Sequence, residues 1–342
     1  MERFIKPIIA LFALCALTSC KSCESNTKML QNVSGSPGEI IVVIDGNEWE
    51  SQIGEILQDN LEGEYQVLPQ KEPKFNLFNI NPDNFSSLFW IHRNILIINI
   101  SPENRENRMI ATKDVWASPQ TVVKINATDH DSAVKTVEEN IEKIESIFEQ
   151  AERDRIIANN IRYQEANVRQ VVADMTGGSP YFPMGFTIKK SDDKFIWISY
   201  ETTYVSQYVF VYKYPATSVD DLGLDRILSE SNAILKQNVP GPVEDSYMIT
   251  AAMPVPQIKS IRYNNRDFVE VRGLWEVQND YMGGPFVIHA FYDKTGENVI
   301  VLQAFVYAPK FDKRNYLRQV ESIIYSFEWM NDKEDGRKNK NL

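Results

Sequence analysis

The clearest pattern in the chain is an alternation of apolar and charged positions between residues 131 and 162. Its apolar period is that of an amphipathic helix with one face against a core. Thr128, Asp129 and Asp131 lie where they can cap the first turn. The pattern predicts one long helix that separates two folded units. The apolar residues recur at spacings of three and four: Val134, Val137, Ile141, Ile144, Phe148 and Ala151.

The residues before this helix predict a sheet with helices on its faces. Two apolar, β-branched runs, 39–44 and 95–100, are typical of strands that are covered on both sides. An apolar stripe over 49–61 predicts a helix, and a short strand is expected at 65–68. We therefore expect residues 38–162 to form an N-terminal αβ sandwich unit that ends in the long helix.

The residues after the long helix, 163–330, predict more strands than helices. Apolar stripes at 221–239 and from Asp312 onwards predict two helices. The chain is thus expected to be α+β, with the long helix joining the first unit to a C-terminal antiparallel sheet with two helices. The predicted strands are 186–189, 195–200, 208–214, 247–253, 258–263, 267–277, 286–292 and 298–307.

The N-terminus has the pattern of a processing segment. Arg3 and Lys6 precede an apolar run that is too short to span a membrane, which is typical of a signal peptide over residues 1–19. The run ends in Leu-Thr-Ser-Cys at 17–20, which resembles a bacterial lipobox. The resemblance implies cleavage before Cys20, diacylglycerol on the Cys20 sulfur and acylation of the new N-terminus, so that the chain is anchored to a membrane by lipid.

The residues that follow Cys20 bear on location. Lys21 stands where an aspartate would resemble an inner-membrane retention signal, and this favours the outer membrane, with the body on either the periplasmic or the cell-surface side. The polar composition of residues 20–37 predicts a lipidated flexible tether, and that of 331–342 a disordered tail. Cys20 and Cys23 form a C-x-x-C, but a lipidated Cys20 cannot take part in redox cycling.

Charge and motif content exclude several classes of function. The formal net charge is −11, whereas nucleic-acid binding requires clustered Lys and Arg. No glycine-rich phosphate loop follows the first strand, so no nucleotide cofactor is expected. His92, His130 and His289 do not share metal-ligand spacing and the body has no cysteine to complete a zinc site, so no metal site is expected.

Two glycine pairs beside tyrosine come directly before strands of the second unit. One hypothesis is that they form loops that line a ligand cleft, since loops on a rigid scaffold often carry binding residues. The alternative is that the glycines only supply the positive φ angles of turns. The candidate residues are Gly177, Gly178 and Tyr181 in the first loop, and Tyr281, Gly283 and Gly284 in the second.

Charged residues share one face of the predicted strand 267–277. Glu270 and Glu276 could serve as the paired carboxylates of a hydrolase that acts on glycan or cell wall. The alternative is that Glu270, Arg272 and Glu276 simply face solvent, as on any half-exposed sheet. The six tryptophans and fifteen tyrosines could form a glycan-binding surface, although Trp197, Tyr208, Tyr212 and Tyr214 lie at core-like strand positions that favour packing.

Several short motifs together resemble an uncharacterised lipoprotein family of Gram-negative bacteria, a domain of unknown function. They are the lipobox and residues 38–43, 116–120, 272–275 and 283–286. The resemblance implies no activity, cofactor or catalytic residue. The order of strands and closing helix in the second unit is also similar to photosystem-accessory and Ran-binding modules, a likeness of fold that does not carry function.

The leading hypothesis is a non-catalytic binding or assembly module of the envelope, held by lipid on Cys20 and directed at an envelope protein or glycan partner. The alternatives are the carboxylate-dependent hydrolase and a glycan-binding surface module. Whether the chain is an enzyme stays open, and the absence of recognisable catalytic spacing favours a binding protein.

Overall fold

A computed structural model describes residues 29–330 of the chain. The predicted signal peptide, the lipidation site Cys20 and the tail 331–342 lie outside the described residues. Within 29–330 the α-helices are α1 (Gly46–Trp49), α2 (Gln52–Leu61), α3 (Ser87–Trp90), α4 (His130–Arg162), α5 (Ala166–Thr176), α6 (Leu224–Asn238) and α7 (Arg314–Tyr325).

The strands fall into two large sheets and two short pairs. In chain order they are β1 (Gln31–Asn32), β2 (Glu39–Val43), β3 (Asn76–Ile80), β4 (Asn94–Ile100), β5 (Arg108–Lys113), β6 (Ala117–Ser118), β7 (Thr121–Ala127), β8 (Gly178–Ser179), β9 (Thr187–Ser191), β10 (Phe195–Glu201), β11 (Ser206–Pro215), β12 (Met248–Thr250), β13 (Gln257–Tyr263), β14 (Arg266–Val277), β15 (Gly283–Tyr292), β16 (Asn298–Tyr307) and β17 (Glu328–Trp329).

The first unit is a five-stranded sheet in the order β3-β2-β4-β7-β5. Its first four strands are parallel and β5 is antiparallel to β7. Helices α2 and the N-terminal half of α4 cover one face, where Leu57, Val137 and Phe148 are fully buried. Among the described residues, the apolar side chains packed on the other face come from the segment 82–90, which includes the four-residue α3, and from Trp116.

The second unit is an eight-stranded antiparallel sheet. Its main path runs β12-β14-β15-β16-β11-β10-β9, and β13 pairs with β14. Helices α5 and α7 pack on one face through Val172, Leu317 and Ile324, and α6 packs on the other through Ile227 and Leu235. The α+β architecture, the joining helix and the antiparallel C-terminal sheet predicted from the sequence are confirmed.

The long helix α4 has 33 residues, and the side chain of Asp129 caps it by accepting a hydrogen bond from the Ser132 N–H at 2.8 Å. Its apolar stripe faces the first sheet, while its C-terminal part reaches the second unit, where Ile157 packs against the core. No helix between residues 29 and 330 combines the length and the apolar composition needed to cross a membrane.

Two local predictions are wrong. Residues 65–68 are not a strand, because the backbone turns there and Val67 has a φ of 56°, in the left-handed region. Residues 166–176 form α5, which adds a third long helix to the second unit. Its apolar residues Val168, Val172 and Met175 do have helical spacing, but valine is a weak helix former and the stripe is short.

The predicted tether is shorter than residues 20–37. β1 pairs in parallel with β6, and the Ser34 N–H donates to the Ile91 carbonyl at 2.8 Å. Gly35 packs against the His92 ring, where a Cβ would come within 2.2 Å of Nε2. The polar composition of this segment does not prevent folding, because backbone groups provide its attachment. Residues 31–35 therefore belong to the first unit.

The two units are also joined at the N-terminus of α7. The buried carboxylate of Glu72, in the first unit, accepts hydrogen bonds from the backbone N–H groups of Lys313 (2.6 Å) and Arg314 (2.8 Å). A carboxylate suits this place because the first N–H groups of a helix have no partner within the helix. The Arg318 guanidinium donates to the Lys74 carbonyl at 2.7 Å and also to Glu149 on α4. The first unit therefore fixes the position of α7.

Candidate functional site

Helix α7 lies between two clefts at the junction of the units. Glu321 and Tyr325 line the first, a cavity of about 260 Å³ that we call the ionic cleft. Gln319 and Ile323, from the opposite side of the helix, line the second, a cavity of about 360 Å³ that we call the amide cleft. Helix α4 contributes to both, with Glu149 and Arg153 in the first and Asn159 and Asn160 in the second. Ligand sites often lie at such junctions between units.

The ionic cleft is built around Arg272 on β14. Its Nε donates to Glu270 Oε1 at 2.7 Å, and its Nη2 donates to Glu321 Oε1. Arg153 Nη2 reaches the same Glu321 oxygen at 3.3 Å, and its guanidinium lies 3.9 Å from the centroid of the Tyr325 ring. Two carboxylates and two guanidinium groups thus form one buried network whose charges balance.

The remaining carboxylate oxygens in this network also have partners. Glu270 Oε2 accepts a hydrogen bond from the Tyr325 hydroxyl at 2.9 Å and lies 3.2 Å from His289 Nε2. Glu321 Oε2 accepts from the Tyr65 hydroxyl at 3.2 Å, so that the first unit takes part too. Each of these carboxylate oxygens therefore already has at least one hydrogen-bond partner within the protein.

The pKa shifts in the network have clear physical causes. Burial by itself would raise the pKa of Glu270, but the Arg272 charge and the hydrogen bond with His289 hold that pKa well below its usual range. Burial lowers the pKa of His289 to about 4, against the opposing effect of Glu270. Burial would lower the pKa of Arg272, but Glu321 and Glu270 hold it well above its ordinary value. At pH 7 Glu270 is therefore ionised and His289 is neutral.

Glu270 and Glu276, the carboxylates paired from the sequence, do not converge. Glu276 is exposed and lies opposite Gly283, six residues along β14 from Glu270. Six residues of extended strand span about 20 Å, more than twice the separation at which paired carboxylates cleave glycosidic bonds. Their shared strand face placed them on the same side of the sheet but could not reveal this distance. Glu270 instead meets Glu321, through Arg272.

The amide cleft combines apolar and carboxamide side chains. Met184, Phe186 and Tyr200 form its apolar side, and Tyr200 stacks on Phe186 at 5.7 Å between ring centroids. Asn160 lines the cleft with 3% of its side chain exposed, and its Nδ2 has no hydrogen-bond partner among the described residues. An unpaired buried donor is uncommon in folded proteins and calls for an explanation.

Further amide groups in this cleft are held in place. Gln207 Nε2, on β11, donates to Gln319 Oε1 and to the Tyr316 carbonyl of α7, each at 3.0 Å. Arg155 is held by Pro119, Glu152 and Asn94, so its guanidinium is already committed. Arg93 also lines the cleft, and its Nη2 donates to Glu152 at 2.8 Å while its Nε has no partner among the described residues. The cleft thus offers carboxamide groups and paired guanidinium groups beside apolar surface.

The two glycine loops lie far apart along the second sheet and so do not line one cleft, while a ligand role for either loop stays a prediction. Gly178 pairs with Trp329, whose ring lies 6.2 Å from that of Phe291. Phe291 and Gly283 are at opposite ends of β15, about 26 Å apart for eight residues of strand. The sequence placed both loops before strands but contained no information on how those strands are ordered.

The first loop has a structural role. Gly177 ends α5 with a φ of 76°, and a Cβ on Gly178 would come within 2.6 Å of both the Glu328 carbonyl oxygen and the Phe327 ring. The Tyr181 side chain is buried and its hydroxyl donates to Glu328 at 2.8 Å. In the second loop Tyr281 is fully exposed, so it alone of the six candidates is accessible as a whole side chain.

Comparison with known proteins divides the chain at the same place as the structure. Residues 33–160 match the family model Domain of unknown function (DUF8532), and residues 165–326 match Domain of unknown function (DUF4837). Each of the two models covers less than half of the chain. The predicted resemblance to a domain-of-unknown-function family is confirmed by these two matches, while the lipoprotein nature of the chain stays a prediction. No curated protein matches the chain.

Solved structures give only remote likenesses. A crystal structure from Bacteroides thetaiotaomicron aligns with 46% of this chain and 47% of its own, at 9% identity and a TM-score of 0.26. The Saccharomyces cerevisiae Ran-binding protein Mog1p aligns over 45% of this chain and 90% of its own, at 8% identity and a TM-score of 0.29. The alignment thus spans about half of the Bacteroides protein. Scores this low support no inference, and the likeness to Ran-binding modules stays a prediction.

The three histidines occupy separate places in these two domains. His92 is buried beside Asn94, His130 contacts Glu48 at 2.7 Å at the start of α4, and His289 belongs to the ionic cleft. Between residues 29 and 330 no group of three or more His, Cys, Asp or Glu side chains is placed to hold a metal ion.

Sequence analysis missed the residues that define the amide cleft. Asn160, Gln207 and Gln319 come from α4, β11 and α7, so nothing in their spacing connects them. Asn160 also lies outside the apolar period of the long helix, whose positions after Ala151 are 155, 158 and 162, so the helical pattern did not indicate that it is buried.

The buried histidine predicts a pH dependence of stability. His289 has a lower pKa in the folded chain, about 4, than in the unfolded chain, about 6.5. Protonation therefore favours the unfolded state, and this part of the stability is complete above pH 6.5 and is lost as the pH falls to 4. At about 1.4 kcal/mol per pH unit, the loss is about 3 kcal/mol.

Urea unfolding of the chain in mild detergent at pH 7, 6, 5 and 4 tests this expectation. His289→Gln should reduce the change in the free energy of unfolding between pH 6.5 and pH 4, whatever the stability of the variant at pH 7. Glu270 also loses stabilising free energy as the pH falls below its ordinary pKa of 4.5, because its own pKa is lowered in the folded chain. This part of the pH dependence should remain in the variant. Parallel curves for the wild type and the variant would contradict the role assigned to His289.

Proposed function

We propose that this chain is a lipid-anchored envelope protein that binds a segment of a partner protein in the amide cleft without catalysing a reaction. The lipobox ending at Cys20 supports the anchor, and Lys21 supports the outer membrane. The body faces either the periplasm or the cell surface. The binding half of the proposal depends on one observation, the unpaired Nδ2 of Asn160 in a cleft between the two units.

The chemistry of the cleft favours a peptide. A buried donor without a partner costs about 1–3 kcal/mol, which a ligand carbonyl would recover by accepting from Asn160. A peptide carries such carbonyls at every residue, and its apolar side chains could pack on Met184 and Tyr200. The cavity, about 360 Å³, lies within the size range of small-ligand pockets and would hold two or three residues.

The distribution of titratable groups favours binding over catalysis. The strongly shifted pKa values of Glu270, Arg272 and His289 belong to the ionic cleft, where the two glutamates are already paired. The polar groups of the amide cleft are Asn and Gln side chains, which do not exchange protons near neutral pH, and the guanidinium groups of Arg155 and Arg93, which are both paired with Glu152. Such a surface suits the binding of a ligand rather than catalysis.

A photo-crosslinking experiment in cells tests the proposal. A photoreactive amino acid placed at Met184, whose side chain is 69% exposed at the rim of the cleft, should yield a discrete adduct between this chain and one envelope protein. Adding Asn160→Ala should reduce that adduct, because the variant removes the unpaired donor. The same amino acid at Glu139, on the exposed face of α4, is the control and should yield none.

Two results would contradict the proposal. An adduct at Met184 that survives Asn160→Ala together with Tyr200→Ala would show that the cleft does not hold the partner. An adduct that is lost in Tyr281→Ala, but not in either cleft variant, would move the binding site to the second glycine loop.

A further inference from the structure

The first sheet has an apolar surface that the proposed function does not use. Parallel strands are normally covered on both faces, and among residues 29–330 the apolar cover of the second face is thin and comes from residues 82–90 and Trp116. Leu88 is 72% exposed and Trp90 is 39% exposed, and Val115 is similarly accessible. We call Phe85, Leu88, Phe89, Trp90, Val115 and Trp116 the aromatic patch. Exposed apolar patches of this kind mark surfaces that bind protein or membrane.

The patch is a packed surface rather than a set of loose side chains. Trp90 and Trp116 stack with their ring centroids 6.1 Å apart, and Phe85 meets Trp116 edge to face at 5.9 Å. The Trp90 Nε1–H donates to the Phe85 carbonyl at 3.3 Å. The exposed apolar groups are therefore held in a fixed arrangement before anything binds to them.

The N-terminal end of the described chain is attached to the same surface. β1 pairs with β6, directly after Val115 and Trp116, and Ser34 bonds to Ile91, directly after Trp90. Ten residues separate Gln31 from Cys20, and a chain of that length reaches at most about 40 Å. A lipid on Cys20 would therefore keep the patch near the bilayer, whereas it places no such limit on the far end of the second unit.

The chemistry of the patch also suits a bilayer. Tryptophan is enriched where acyl chains meet headgroups, because its ring is apolar and its N–H is polar. The charged residues nearest in sequence, Asp83, Arg93, Lys113 and Asp114, sum to zero. The surface thus has no local net charge that would attract it to lipid headgroups, and contact with the bilayer would depend on apolar insertion.

We propose that the aromatic patch is a membrane-docking surface, which inserts Leu88, Trp90 and Val115 into the boundary between headgroups and acyl chains. This inference rests on the lipid anchor of the proposed function and deepens it, because insertion fixes the orientation of the body on the membrane. The anchor alone would leave the body free to rotate above the bilayer.

Quenching of tryptophan fluorescence by brominated acyl chains tests this docking. The lipidated full chain is reconstituted into vesicles of phosphatidylcholine and phosphatidylethanolamine, with and without bromine near the glycerol end of the chains. We expect quenching that is the same at low and high salt and that is lost in Trp90→Phe, which identifies the reporting ring. Leu88→Asp should also lose it, because the variant places a charge in the inserted surface.

Val219→Asp is the matched control, since Val219 is 95% exposed on the second unit, and it should keep the wild-type quenching. A chain that stays on the vesicles without being quenched would overturn the docking surface and leave the anchor standing. A chain that leaves the vesicles as readily as Cys20→Ser would overturn the anchor and the inference with it. Dimerisation in detergent that Leu88→Asp abolishes would assign the patch to a second copy of this chain and overturn the inference.

Discussion

Replacing Glu321 by glutamine is expected to lower the free energy of unfolding by about 3–5 kcal/mol. The side chain of Glu321 is buried and accepts hydrogen bonds from Arg272, Arg153 and Tyr65. Glutamine keeps the shape but removes the negative charge, and so leaves two buried guanidinium groups with only Glu270 to balance them. Urea unfolding of the chain in mild detergent at pH 7 measures the change.

Glu139→Gln is the matched control, because Glu139 is an exposed glutamate on α4 whose ion pair with Lys135 is long, at 3.9 Å. Exposed pairs contribute about 0–1 kcal/mol, so this variant should stay close to the wild type. A Glu321→Gln variant that is equally stable would mean that the ionic cleft does not hold the units together.

Gly284→Ala is expected to destabilise the second sheet by about 2–4 kcal/mol. A Cβ at this position would lie 2.1 Å from the Val306 carbonyl oxygen and 3.0 Å from Trp275 Nε1. These two groups are hydrogen-bonded to each other at 3.2 Å, so neither can move without breaking that bond. Thermal or urea unfolding at pH 7 checks the prediction.

Gly46→Ala provides the comparison, because nothing lies within 4 Å of a Cβ there and alanine is the better helix former. This variant should change stability by less than about 0.5 kcal/mol. If Gly284→Ala instead folds with wild-type stability but loses partner binding in cells, the glycine has the ligand role first considered for it, and the packing explanation is wrong.

The sequence predicted the elements that are defined by the pattern of their own residues. The stripe Val134, Val137, Ile144 and Phe148 predicts α4 because helical periodicity is a local property, and the prediction holds within one residue of the start of the helix. The apolar runs that became β2 and β4 were recognised for the same reason. α5 was missed because its apolar stripe is short and valine is a weak helix former, so that local preference alone does not specify the helix that packs in the core.

The candidate site depends on contacts between residues that are distant in the chain. Sequence analysis placed Glu270 and Glu276 together because both lie on one strand face, but the fold pairs Glu270 with Arg272, Tyr325 and His289, and brings in Glu321 from α7. A strand pattern indicates which side of a sheet a residue faces. It does not indicate how far apart two residues lie in the sheet or which side chains from other elements they contact.

The sequence by itself thus determined the α+β class, the long helix and the lipobox pattern at Cys20, because each depends on neighbours within a few turns of chain. Tertiary structure decided that Glu72 caps α7, that Asn160 faces Gln207 and Gln319, and that the N-terminal segment ends beside Trp90 and Trp116. These contacts arise from the order of strands and the docking of one unit on the other, which spacing along the chain does not encode.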